Sequence, residues 1–276
     1  MKDFLRRFAR NRSAVAGLAV LALVVLMALA APALYPGDPW DMVAEPFLPP
    51  ASPGYPAGTD MMGRDIAAGL FHGARVSLLI GLVATGVALL IGVSVGAVAG
   101  YFGGLADNAL MRLTELFQTI PAFLFAIVLV AIFRPSVATV VLAIGVVSWP
   151  PVARLTRGEF LSLRGRDFVQ ACVAIGMGDT RIIALHVLPN ALAPIVVTGS
   201  LMVATAILTE AGLAFLGLSD PNVMSWGSII GAGREVLRSA AWITALPGLA
   251  IMLTVLAINL VGEGLNDALN PRLRGR

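Results

Sequence analysis

Charge is what this chain has least of. Only 13% of its 276 residues are Asp, Glu, Lys or Arg, against about 25% in an ordinary soluble domain. The shortfall is concentrated in long uncharged runs, the pattern of membrane spans. Cysteine is nearly missing as well, and Cys172 alone excludes an internal disulfide. The two histidines, His72 and His186, lie too far apart for a metal motif to be read from spacing. Lysine occurs once, at Lys2, whereas the other 18 basic residues are arginine. A phosphate-binding loop needs G-x4-G-K-[ST], so this chain cannot itself supply a Walker A site. The net charge of +3 comes from residues bordering apolar segments, which argues against a nucleic-acid partner.

What is present is apolar and long: 58% of the residues are hydrophobic and the mean hydropathy is +0.88. A hydrocarbon core of roughly 30 Å takes about 20 helical residues. Six segments meet that length: 14–34, 76–100, 113–133, 136–153, 188–212 and 240–261. They must be helices, because lipid offers backbone groups no partner, so the fold class is all-α with six spans. The first run, uncharged from Ser13 to Gly37, exceeds a secretory h-region and reads as a retained span. The third is the least clean, with Glu115, Gln118 and Pro121 in its first half.

Arginine placement orients the spans. With the amino terminus in the cytoplasm, the cytoplasmic regions hold 14 basic residues and the outer ones 5. The expected layout is a cytoplasmic segment 1–13, a six-helix transmembrane domain 14–266 and a cytoplasmic tail 267–276. Within the domain, 35–75 and 213–239 are outer loops and 154–187 is a cytoplasmic loop. The 35–75 loop carries seven of the 17 prolines, which favours an extended segment. None of the intramembrane acids falls at a bilayer centre. Glu115 stands near the cytoplasmic end of span three, and Glu210 near the outer end of span five, where local pairing between helices is expected. Pro121 and Pro247 are candidate hinges.

The stretch DFVQACVAIGMGDTRIIALHVLP (167–189) is too polar to span a bilayer, yet its spacing is helical. Phe168, Ala171, Cys172 and Ile175 recur at i, i+3, i+4 and i+7, giving one apolar face. Gly176 and Gly178 predict a sharp turn, and Asp179 predicts the N-cap of a second short helix. The spacing alone leaves two readings open, an amphipathic helix resting on lipid and a helix that docks a protein.

These residues resemble the "EAA" loop of permease subunits in ABC importers, E-A-A-x3-G-x9-I-x-L-P. Gln170, Ala171 and Cys172 stand at the E-A-A positions, Gly176 at the glycine, and Leu188 and Pro189 at the closing pair. Gln170, Cys172 and His186 depart from the pattern. GTDMMGRDIAAGLFHGARVSLLIG (58–81) and TEAGLAFLGLSDPNVMSWGSII (209–230) resemble segments of dipeptide and oligopeptide permeases, in particular the C-subunit type.

That resemblance implies a transport subunit, not an enzyme, in a prokaryotic inner membrane. The implied partners are a second permease (as a heterodimer), two cytoplasmic ABC ATPases and an extracytoplasmic binding protein. ATP-Mg would sit on the ATPases, and no cofactor or metal is expected on this chain. Short peptides are the implied cargo, with nickel or glutathione as alternatives. A stand-alone secondary transporter is the rival class, separated by dependence on ATP and on an ATPase partner. Gln170, Ala171, Cys172, Gly176, Gly178, Asp179, Arg181, Leu188 and Pro189 are the implied ATPase-docking residues. Asp60, Arg64, Asp65, Glu210 and Trp226 are candidates for an outer gate or binding-protein contact. Trp226 and Trp242 suit a membrane–water boundary.

Overall fold

The computed structural model describes residues 7–269. Lys2, Arg6 and the three arginines beyond position 270 lie outside them, as do the start of the expected segment 1–13 and most of the expected tail 267–276. The described residues are mostly helical, with isolated bridges such as Met42 to Arg64 in place of strands. In chain order, α1 is Arg12–Leu34, α2 Ile66–Phe102, α3 Gly104–Thr119, α4 Ala122–Phe133 and α5 Val137–Arg164. Two short helices follow, α6 Asp167–Ala174 and α7 Asp179–Ile182. A π turn, Ile183–Val187, joins α7 to α8 Leu188–Phe215, and α9 Trp226–Gly233 and α10 Trp242–Leu269 complete the chain.

Five of these helices are long and apolar enough to cross a membrane, and a sixth span results if α3 and α4 count as one. The expected single span 113–133 is therefore corrected. Its two halves bend by 82° where Ile120 and Pro121 interrupt the helix. Proline has no N–H and disfavours an α conformation at the residue before it, so the break falls there. Other prolines do not break their helices. Pro150 and Pro151 lie inside α5, which runs on to Arg164 instead of ending near 153. Pro247 lies inside α10, which continues past 261 to Leu269. Neighbouring helices bury Pro150 and Pro247, which is how membrane helices accommodate proline. The second span is also longer than expected, beginning at Ile66 behind its Asp65 cap.

The centre of the bundle is the pairing of α2 with α5. Gly92, Gly96 and Gly100, four residues apart on α2, face Val152, Ala153, Thr156 and Phe160 of α5. A Cβ at Gly92 would lie 2.5 Å from Val152 Cβ, and one at Gly100 2.6 Å from Phe160 Cβ. Small residues at this spacing let two membrane helices approach closely, and dispersion then holds them. α1 packs outside, with Val24 and Ala28 in one cluster with Ile251 and Ile258 of α10.

The two ends of the bundle differ. At the proline-rich end, the 35–65 loop packs through Trp40 and Ala57 against Met224, Ile229 and Ile243. At the arginine-rich end, α6 and α7 pack through Val169, Cys172 and Ile182 against Ala97 and Phe160.

Candidate functional site

The arginine-rich end carries the projecting loop. α6 ends in a Schellman turn: Met177 N–H donates to the Cys172 carbonyl (3.1 Å) and Gly176 N–H to that of Val173 (2.9 Å). Gly176 has φ +78°, which this turn requires and other residues resist. Gly178 needs no such freedom. At φ −68° and ψ 145° it is ordinary extended backbone and caps α7 through its main chain.

Two expectations are corrected here. Asp179 is the first residue of α7, not its N-cap. Its Oδ1 accepts a hydrogen bond from the Tyr101 hydroxyl at 2.8 Å, joining the loop to the end of α2. The inward face of α6 is also rotated from the one expected. Val169 (1% exposed) and Cys172 (8%) are buried against α2, α5 and α8, while Phe168, Ala171 and Ile175 (76%) point outward. The packing partners are set by tertiary contacts, which a one-dimensional spacing does not contain.

The remaining loop residues fall as follows. Gln170 Nε2 donates to the Arg164 carbonyl (2.9 Å), tying α6 to the end of α5. Arg181 is exposed. Leu188 and Pro189 do not close the segment, since the helix continues through them into α8. The π turn just before Pro189 takes up the place where the i→i−4 ladder lacks a donor. A nearby device was not legible from sequence: Arg157 of α5 holds Asp107 of α3, with Nη2 to Oδ2 at 2.6 Å. Arg164 also reaches the carbonyls of Gly100 and Tyr101, at 3.4 and 3.3 Å. Partners 50 and 64 residues apart leave no local signal.

At the proline-rich end Asp60 and Arg64 pair with each other, while Asp65 serves the start of α2. Asp60 Oδ1 accepts from the backbone N–H of Met62 (2.8 Å) and Arg64 (2.9 Å), and its other oxygen lies 3.8 Å from the Arg64 guanidinium. That guanidinium stands 4.6 Å above the Trp40 ring. Asp65 caps α2 by accepting from Ala67 N–H (2.8 Å). Together with Ser228 and Met224, these residues line a small crevice against α9.

Trp226 is corrected: it is fully buried, not interfacial. Its indole N–H donates to the Leu70 carbonyl at 2.9 Å, and its backbone N–H to Ser77 Oγ at 3.2 Å. Glu210 is 3% exposed and accepts from the Ser225 hydroxyl at 2.6 Å, next to the Ser225–Ser228 capping box that starts α9. The buried acid thus ties α8 to the start of α9.

Between the two ends lies a cavity of about 220 Å³, lined in part by Thr85, Ala122, Ser148, Thr198, Met202 and Thr205. Hydroxyls on an otherwise apolar wall offer hydrogen bonds without fixed charge. The group comes from four helices, so no single motif announces it.

Long apolar helices, one sharply broken span and a glycine-turned helical loop at one end define a multi-pass membrane protein. Comparison with known proteins gives the family. The profile described as "Binding-protein-dependent transport system inner membrane component" matches residues 92–275. That described as "N-terminal TM domain of oligopeptide transport permease C" matches residues 1–50. The di/tripeptide transport system permease DppC of Pseudomonas aeruginosa is 40% identical, over 99% of this chain and 93% of its own length. The oligopeptide transport system permease OppC of Haemophilus influenzae is 36% identical, over 99% of this chain and 89% of its own. Among solved structures, an inward-facing form of the MetNI methionine ABC transporter shares the fold. Its TM-score is 0.60 at 18% identity, over 73% of this chain and 96% of that one. The chain belongs to the binding-protein-dependent transport system inner membrane component family, among the permeases of ABC importers.

Proposed function

We propose that this chain is one permease half of an ATP-driven importer for short peptides in a prokaryotic inner membrane. The reading is supported by nearly full-length similarity to proteins named as dipeptide and oligopeptide permeases. The arginine-rich end is cytoplasmic, by the excess of basic residues there, and the proline-rich end faces outward. A second permease completes the pathway as a heterodimer, two ATPases bind ATP-Mg, and an extracytoplasmic binding protein delivers the cargo.

The observation that carries the mechanism is the division of α6 into two faces. Val169 and Cys172 anchor it to the bundle, while Phe168 and Ile175 stand free beside the Gly176 turn. An ATPase groove seated over 167–189 would grip the free face, with Gln170, Ala171, Gly178, Asp179 and Arg181 at its rim. ATP-driven closure then moves the loop as a rigid finger. Tyr101, through Asp179, carries that motion into α2, and the unbroken helix from α7 to α8 carries it into α8. Inverting a 1:99 population takes about 5.5 kcal/mol of differential binding, which calls for a stiff connection.

The test is uptake by the four-subunit complex reconstituted in proteoliposomes with its binding protein. ATP-dependent accumulation of a dipeptide is expected. Uptake without ATP or without the ATPases, or uptake of nickel or glutathione in place of peptide, would overturn the proposal.

A further inference from the structure

The proline-rich end holds a second, larger cavity, of about 370 Å³, that no motif pointed to. Its floor is one face of α2, where His72, Arg75, Val76 and Leu79 fall at i, i+3, i+4 and i+7. Asp38 and Trp40 of the 35–65 loop form one wall, and Asn222 of the segment before α9 another. Its size lies at the low end of the roughly 300–1,000 Å³ typical of small-molecule sites.

The charged groups of this cavity are unspent. Arg75 makes no hydrogen bond or ion pair among the described residues, although it sits on an apolar helix. Arg75 and Asp38 are both exposed, so both charges are open to a ligand entering the cavity. The one hydrogen bond to the Asp38 carboxylate comes from the Trp40 backbone N–H to Oδ1 at 3.0 Å, leaving Oδ2 open. His72 is already engaged, its Nε2 donating to the Tyr35 carbonyl at 3.0 Å, which fixes the ring as part of the wall. One free cation and one free carboxylate on an apolar floor complement a small zwitterion. A bare divalent metal ion would instead meet the repulsion of Arg75.

We propose that this cavity receives a short peptide by its two charged ends. Arg75 takes the terminal carboxylate through its planar fork, and Asp38 takes the terminal ammonium. Val76, Leu79 and Trp40 pack against the peptide's side chains. The assignment rests on the peptide-import reading above and adds to it a receiving site on the permease itself, outside the central cavity. It makes recognition depend on the free termini, which every short peptide shares, and leaves side-chain identity weakly read.

The test uses the complete transporter in lipid nanodiscs without binding protein, titrated with Ala-Ala, its C-terminal amide and its N-acetyl derivative. The wild type is expected to prefer Ala-Ala over both analogues. Arg75→Ala should weaken Ala-Ala binding about tenfold or more and abolish the preference over the amide, whereas Arg75→Lys should keep part of it. Asp38→Asn should abolish the preference over the N-acetyl form. No Ala-Ala binding by the wild type, or an unchanged preference in Arg75→Ala, overturns the site. So does a loss in Arg75→Ala that tracks only failed assembly with the second permease. If the wild type with its binding protein imports Ala-Ala and Arg75→Ala imports it with unchanged KM and kcat, the cavity is wrong while peptide import stands. If no peptide is imported at all, the functional reading fails, and the nanodisc titration still decides the cavity.

Discussion

At the proline-rich end Trp226, Ile66 and Ile243 turn inward while Met42, Val43 and Met62 stay exposed, and Asp60, Thr59 and Asp65 satisfy backbone N–H groups. At the arginine-rich end Phe168, Val173, Ile175 and Leu185 stand out into open space, although the helices that bear them are anchored from behind. Both ends are built from short helices and glycine turns, so composition does not explain the contrast. One end is a cap built around buried groups of its own chain. The other leaves an apolar face exposed on anchored helices, the face that the proposed reading gives to the ATPase.

The contrast predicts unequal responses to substitution. The largest concerns the cap. Trp226→Ala should cost about 3–5 kcal/mol, the usual penalty for emptying a buried tryptophan site, and the thermal midpoint of the purified complex should fall accordingly. A wild-type midpoint would mean that the cap does not hold the bundle. Next is the turn at the other end. Gly176→Ala meets no steric obstacle, because no atom lies within 4 Å of the added Cβ. Its cost is therefore the left-handed conformation, about 1–2 kcal/mol. It should uncouple ATP hydrolysis from uptake and leave membrane insertion intact. Gly178→Ala, at an ordinary φ of −68°, should change neither rate, and equal effects from the two would contradict the Schellman turn as the rigid element.

The smallest effect is expected at the Asp65 cap. Burial pushes this carboxyl above the ordinary carboxylate value, against the pull of the Ala67 and Ala68 N–H groups. A raised folded-state value means that its favourable contribution is present below about pH 4 and is lost as pH rises through the folded value. Asp65→Asn keeps the cap without the charge. At neutral pH it should equal or slightly exceed the wild type in thermal stability, an advantage that vanishes on acidification. Asp65→Ala should lose about 1 kcal/mol below about pH 4 and less at neutral pH.

The sequence made the apolar spans legible because lipid imposes both their length and their helicity. The docking turn was legible because Gly176 occupies a position where backbone geometry, not packing, chooses the residue. What escaped was whatever depends on partners distant in the chain. The Tyr101–Asp179 bond spans 78 residues, and the pairing of Arg157 with Asp107 spans 50. The outward turn of Ile175 follows from Val169 and Cys172 having found Ala97 and Phe160. Tryptophan at a span boundary suits lipid headgroups in general, yet Trp226 found a carbonyl at Leu70 and went inside. The span expected to end near 153 runs on to Arg164, with Pro150 buried among its neighbours.

The central claim is that a motor subunit grips the exposed face of α6. With the sole native cysteine removed as Cys172→Ala, a cysteine placed by Ile175→Cys can be cross-linked in the assembled complex. A bond to the ATPase subunit that changes in yield with ATP is the predicted result. Modification of that cysteine by an impermeant reagent added outside intact cells, with no ATPase adduct in any nucleotide state, would contradict the account.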